Sequence, residues 1–312
     1  IRDFCLSRGL GDVYKRQNKE NVKYFDKIRA SIRFKHFKKT YDENILDIKG
    51  GLNDVVMNNS PIDIDKLIEG TNEILTANRN SLQLFDMLHS MRQFDDLTYV
   101  HSVNVALIAS ILGQWLKFSE KDIRILTISG LLHDIGKIMI PNEILTKPGK
   151  LTVAEYNIMK QHVNFGYEKV KNQNIDIRIK EACLLHHEKC DGTGYPFGLK
   201  SDHIPAVAKI IAIADVYDAM TSARVYRGAL CPFEVIDTMY KDAFTKFEPE
   251  YILPFLKNVA SSYINNDVRL SDGRIGKVVL INENALSLPI VQCEDEFIDL
   301  SKTRGLTVSA IL

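Results

Sequence analysis

The sequence predicts a mainly α-helical chain, in which a helical bundle follows an N-terminal helical region and ends in a small C-terminal β appendage. Three observations carry this prediction. From Pro61 to about Ala260 apolar residues recur at three- and four-residue steps. Helix-start signals fall inside that run, Ser119 with Asp122 and Thr152 with Glu155. Beyond Asn265 the period changes from helical to alternating.

The elements follow in order. Residues 1–17 carry no periodicity and resemble a translated sequencing adapter, so they are expected to be non-native or disordered, leaving room for a native upstream domain. Residues 18–94 form an N-terminal helical region. Its first part is weakly patterned by Ile28, Ile32, Phe34 and Phe37, and Gly50-Gly51 is expected to break it. After Pro61 a stripe running through Ile64, Leu67, Ile68, Leu75, Leu82, Phe85 and Leu88 predicts a strong helix, with an intramolecular core or a dimer seam as its role. Residues 95–260 hold helices over 98–116, 119–133, 153–171, 175–187, 206–220, 232–243 and 249–260, with Pro232 well placed in a first turn. In 261–312 a Ser-Asp-Gly turn between two runs rich in Val, Ile and Leu predicts a hairpin, and the stretches PIVQC and LTVSAIL can add strands.

Composition narrows the function classes. The 312 residues carry 40 basic and 40 acidic side chains, so no global field draws polymeric nucleic acid or an anionic membrane. The longest apolar stretches fall well short of the roughly 20 residues that cross a bilayer, and no secretory signal stands out, so the chain reads as cytoplasmic. Five scattered cysteines without a CxxC pair argue against a disulfide framework and a structural zinc site.

Five of the eight histidines lie within residues 101–187. In LLHDIGK, His133 and Asp134 end an apolar helix, with Lys137 four residues on. His101 lies on the preceding helix, His162 on the following one, His186 and His187 are consecutive, and Asp215 closes the apolar run KIIAIAD. A carboxylate behind such a run is expensive to bury unless a cation compensates it, and a metal is the economical partner. Imidazole and carboxylate donors suit iron, manganese or zinc. Five histidines and two aspartates exceed what one tetrahedral ion uses, which favours two ions sharing a carboxylate. Such a pair can bind a bridging hydroxide and stabilise the entering and leaving oxygens of a phosphoester.

A second motif, HHEKCDGTGYP, presents Tyr195 from a loop constrained by two glycines and Pro196. The ring can stack on a base or simply anchor its loop. Asp218, Arg224 and Arg227 follow Asp215 in IADVYDAMTSARVYR, and arginines suit bidentate phosphate or guanine contacts.

Together HSVNV, LLHDIGK, HHEKCDGTGYP and IADVYDAMTSARVYR resemble the HD-GYP family of HD-domain metal-dependent phosphohydrolases, over about residues 95–260. The resemblance implies an all-helical fold and hydrolysis of cyclic di-GMP to linear pGpG or onward to GMP. It assigns His101, His133, Asp134 and Asp215 to one metal, and Asp134, His162, His186 and His187 to the other, with Asp134 as the bridge. Iron or manganese is expected. Lys137 matches the lysine at the scissile phosphate; Gly194, Tyr195, Pro196, Asp218, Arg224 and Arg227 match positions around the nucleotide. Members with a third metal carry a glutamate where this chain has Leu97, so two ions and pGpG are expected. The alternatives are another cyclic dinucleotide such as cyclic GMP-AMP, or a non-catalytic module that binds the nucleotide or a diguanylate cyclase.

Overall fold

The computed structural model describes residues 28–78, 81–91, 97–222 and 230–312. Residues 1–17 and the arginines at 224 and 227 lie outside them. The fold is mainly helical with a five-stranded C-terminal sheet.

Ser31 caps α1 (Ile32–Asn58) by accepting from the Phe34 amide. The helix runs straight through Gly50 and Gly51, where the sequence predicted a break. A buried stripe through Phe34, Phe37, Tyr41, Ile48, Leu52 and Val55 outweighs about 1 kcal/mol of helix propensity lost at each glycine. The stripe from Ile64 onward is not one helix but two, α2 (Ile64–Ala77) and α3 (Ser81–Ser90). At the end of α2 the Asn78 side-chain and backbone N–H groups both donate to the Ile74 carbonyl, closing the turn. Leu67, Ile68, Leu84, Phe85 and Leu88 are buried within the chain, so this stripe serves the intramolecular core.

The centre of the fold is an antiparallel pair, α4 (Leu97–Trp115) and α5 (Glu120–Leu132). A Cβ at Gly130 would lie 2.4 Å from the Ala106 Cα, so glycine here lets the two backbones touch. That contact sits one turn before His133 and just over one turn beyond His101, and it brings their rings to 5.3 Å between centroids. After α5 come a 3-10 turn (Ile135–Met139), the short α6 (Asn142–Leu145), α7 (Val153–Lys160) and α8 (His162–Val170). Thr152 and Glu155 form a complete capping box on α7. The single helix predicted over 153–171 is split at Gln161: α7 buries no residue, and α8 turns inward with His162 at its first position. Then follow α9 (Ile177–Leu185), α10 (Ala206–Thr221), α11 (Pro232–Asp242) and α12 (Pro249–Ser261).

The antiparallel sheet has the order β4-β3-β2-β1-β5, from β1 (Asp267–Leu270), β2 (Ile275–Leu280), β3 (Ile290–Cys293), β4 (Glu296–Asp299) and β5 (Val308–Ile311). The β1–β2 hairpin turns at Ser271-Asp272-Gly273, with Gly273 at φ 95°. One hydrophobic core runs from Phe34 on α1 through the helices to Ile311 on β5, so the appendage shares the core of the bundle. Among the described residues no helix is long and apolar enough to cross a membrane.

Candidate metal centre

Two groups of potential ligands meet between α4, α5, α8, α9 and α10. One is Asp134 with His162, His186 and His187; the other is His101, His133 and Asp215, and within each group one donor atom per residue lies within 4.8 Å of the rest. Asp134 touches both groups. Its Oδ1 is 3.3 Å from His162 Nε2 and 3.7 Å from His186 Nε2, while its Oδ2 is 3.2 Å from His133 Nε2 and 3.6 Å from His101 Nε2.

Local backbone explains how adjacent His133 and Asp134 reach one centre. The helix ends at His133, and Asp134 leaves it at φ −103°, ψ 10° before the 3-10 turn begins. Lys137 therefore lies on the 3-10 turn and not on the same helical face as His133, which the four-residue spacing predicts, and its ammonium pairs with the Asp134 carboxylate. Gly136 is needed for close approach: a Cβ there would lie 1.9 Å from the His162 carbonyl oxygen.

The histidines are oriented from behind. His133 Nδ1 donates to the Gly130 carbonyl at 2.8 Å, His162 Nδ1 to Met159 at 2.7 Å, and His186 Nδ1 to Ala182 at 3.0 Å. Each Nε2 lone pair thus faces the centre, the arrangement metal-ligating histidines adopt. Burial pushes His133 and His187 down and His162 down to about 3, so these rings are neutral donors. His101 is the exception. Burial alone would lower it, but hydrogen bonds to Asp215 and Asp218 win and hold it up at about 9. Burial also works against the charged form of Asp134, yet His133 and Lys137 keep it well below the usual carboxylate range.

Among the described residues His133 Nε2, Asp134 Oδ1 and Asp215 Oδ2 are buried polar atoms without a hydrogen-bond partner. Leaving such atoms unpaired costs about 1 to 3 kcal/mol each, and all three are metal-donor types belonging to these two groups. The residues present therefore fit divalent metal ions. No cysteine joins either group: Cys183, buried nearby, donates its S–H to the Leu132 carbonyl.

The loop motif is also built from behind. Gly192 adopts φ 82°, while Gly194 packs where a Cβ would lie 2.4 Å from the Lys189 amide nitrogen. The Tyr195 ring stacks on His187, centroids 4.7 Å apart, and Pro196 follows it. Glu188, which the sequence reading passed over, is buried and accepts from the amides of Phe197 and Gly198 on Oε1 and of Leu199 on Oε2. Asp218 lies behind His101: Oδ2 accepts from His101 Nδ1 at 2.7 Å and Oδ1 from Asn104 Nδ2 at 2.9 Å.

The family model described as HD domain matches residues 70–251, which contain every one of these ligands. The chain belongs to the HD domain family. Within it, the Gly194-Tyr195-Pro196 loop sets this HD domain in the HD-GYP group. A relative named cyclic di-GMP phosphodiesterase PA4108, from Pseudomonas aeruginosa, is 36% identical over 203 residues, 65% of this chain and 49% of its own length. One from Vibrio cholerae, named 3'3'-cGAMP-specific phosphodiesterase 2, is 30% identical over 68% of this chain and 40% of its own. The chain spans about half the length of the first of these curated relatives. The solved structure of Bd1817, an HDG"Y"P protein from Bdellovibrio bacteriovorus, aligns with a TM-score of 0.53 at 18% identity over 76% of each chain, a likeness of fold.

Proposed function

We propose that this chain hydrolyses one phosphodiester bond of cyclic di-GMP and releases linear pGpG. The observation that carries the reading is the meeting of two ligand groups at Asp134, with three buried donor atoms left unpaired. His101, His133, Asp134 and Asp215 would hold one divalent ion, and Asp134, His162, His186 and His187 the other; the donor set suits iron or manganese. When bound, the ions supply a nucleophile at neutral pH and charge neutralisation at the phosphate.

The residues of the chain do the rest. The three carbonyl-held imidazoles keep their Nε2 atoms fixed, so little reorganisation accompanies the reaction. Lys137, one-fifth exposed beside Asp134, is placed to neutralise charge developing on the phosphate oxygens. Because pGpG keeps its phosphate on the 5′ oxygen, the bond that breaks joins phosphorus to the 3′ oxygen, which leaves with a proton. Tyr195 over His187 offers a face to a guanine, and Arg224 and Arg227, by their chemistry, suit its edge or the second phosphate. A bundle over 95–260 is the catalytic unit in this reading, flanked by 18–94 and 261–312. Binding of a diguanylate cyclase, or pairing of two copies, would use outward faces such as that of α1, where Ile32, Leu46 and Met57 are exposed.

Metal analysis with product identification on the purified protein tests the proposal. Two ions per chain and pGpG are expected; no metal, or no cleavage with metal present, overturns it. Because the Vibrio cholerae relative is named for cyclic GMP-AMP, that dinucleotide is assayed alongside, and its faster cleavage would replace the substrate assignment.

A further inference from the structure

We infer that Tyr41, on the N-terminal helix α1, is a positioning residue for the metal centre, acting on His101 through Asn104 and Asp218. The inference rests on reading the site as a metal centre.

A chain of buried hydrogen bonds joins them. The Tyr41 hydroxyl reaches Asn104 Oδ1 at 2.5 Å, Asn104 Nδ2 donates to Asp218 Oδ1 at 2.9 Å, and Asp218 Oδ2 accepts from His101 Nδ1 at 2.7 Å. The first three side chains are buried: Tyr41 is 0% exposed, Asn104 4% and Asp218 5%. The directions are fixed by chemistry. A carboxylate only accepts, so the Asn104 amide must turn its NH2 to Asp218 and its oxygen to Tyr41, and the tyrosine must then donate. The Tyr41 oxygen also lies 3.4 Å from the Val100 carbonyl, a longer alternative for the same proton.

The sequence spacing shows how the relay is assembled. His101 and Asn104 are three residues apart on α4, and Asp215 and Asp218 three apart on α10. Each helix therefore presents one ligand and, on the same face, one residue behind it. Asp218 orients His101 as a carboxylate orients a metal-bound imidazole, Asn104 orients Asp218, and the end of the chain comes from a third helix. Tyr41 lies outside residues 70–251 that the HD domain model matches, so a part of the site's support is supplied from beyond the family domain. The docking of α1 is held at its other end as well: the Lys169 ammonium donates to the Val56 carbonyl and to Asn59 Oδ1 at the end of α1, from the helix that His162 begins.

Loss of a hydrogen-bonded partner behind a ligating histidine weakens metal affinity by about 10- to 100-fold; two bonds further back, roughly fivefold is expected. The test uses the full chain loaded with manganese and a fluorescent chelator that reports ion release. In wild type, two release phases are expected. Tyr41→Phe removes only the hydroxyl and should speed one phase about fivefold and lower kcat with KM unchanged. Tyr99→Phe is the control, because that hydroxyl joins the same two helices through Asn53 at 3.2 Å, away from the relay. Asn104→Ala cuts the relay from the other side and should give the same phase change, with Tyr41→Phe adding nothing on top of it. If wild type holds no manganese, the metal reading itself fails. If wild type holds two ions and Tyr41→Phe releases them as Tyr99→Phe does, or if Tyr41→Phe and Asn104→Ala add independently, the positioning role is overturned.

Discussion

Gly136→Ala is the sharpest perturbation the site offers, because the added methyl would meet backbone that cannot rotate away. A Cβ at this position lies 1.9 Å from the His162 carbonyl oxygen and 2.5 Å from the Gly166 amide nitrogen, where real Cβ contacts essentially never fall below 3.0 Å. The 3-10 turn and α8 must therefore separate by at least 1.1 Å, which is 3.0 minus 1.9. Asp134 lies two residues before Gly136 and His162 supplies the carbonyl in the clash, so the separation would disturb a pair of ligands now 3.3 Å apart. Metal–ligand distances tolerate about 0.2 Å, so one ion should be lost. A displacement near 1 Å costs on the order of 100-fold in turnover. The assay is metal content by mass spectrometry and hydrolysis on the same sample, with Gly166→Ala as comparison. A methyl at Gly166 has 3.3 Å to the nearest backbone atom, an adjustment of a few tenths of an ångström, and both ions should stay. Full metal content and full turnover in Gly136→Ala would refute the close-contact reasoning.

Three further outcomes are expected. Lys137→Ala should lower turnover by roughly 10- to 100-fold while both ions remain; loss of metal on elemental analysis would show that the lysine holds the ligands instead. Glu188→Gln replaces one of two accepting oxygens with a donor facing the Leu199 amide, costing about 1 to 3 kcal/mol and loosening Tyr195, so KM should rise severalfold with metal content unchanged. An unaltered KM and melting temperature would remove Glu188 from the loop's support. His101 is raised from 6.5 to about 9, so in chelated protein its pairing with Asp215 and Asp218 contributes stability that is complete below pH 6.5 and lost as pH climbs through 9. The shift corresponds to roughly 3 kcal/mol. The melting temperature of chelated protein should fall over that window; a flat profile would contradict it.

The ligands themselves were legible because each is a residue type that is expensive to bury alone, placed in a strongly apolar helical context. His133 after LTISGLL and Asp215 after IIAIA announce a compensating cation before any geometry is known. What the sequence hid is the support. Tyr41 is a tyrosine on an amphipathic helix interrupted by two glycines, and nothing local distinguishes it from a core aromatic. Only tertiary packing against α4 gives its hydroxyl a partner. Glu188 follows the two histidines directly, and its place in HHE before a glycine-rich turn was a usable signal, since a buried carboxylate commonly gathers several amides. Asp218 shows a related limit. Spacing alone put it near Asp215, but whether a carboxylate three residues on faces substrate or the neighbouring ligand depends on which helix packs there. The continuous α1 shows the same limit, since burial of Phe37, Tyr41 and Ile48 overrides glycine propensity.

Charge balance joins these features into one argument. Asp134, Asp215 and Asp218 are all buried, at 1, 1 and 5% exposure, and each buried ion pays several kcal/mol in lost hydration. Lys137 and a protonated His101 offset two of these charges, and the neutral rings of His133, His162 and His187 offset none. A proton on His101 Nε2 and a metal ion compete for the same lone pair, so metal uptake there must release a proton and strengthen as pH rises toward 9. Two divalent ions would more than cover the three carboxylates and leave positive charge facing outward toward Lys137. On the proposed reading a small dianionic substrate would be drawn by the site alone, so a chain of 40 basic and 40 acidic residues would need no basic surface to bind a dinucleotide. The relay from Tyr41 has its purpose in the same balance. It holds Asp218 by donors on both oxygens, so that the carboxylate backing His101 stays fixed whether a proton or a metal occupies the far side of the ring.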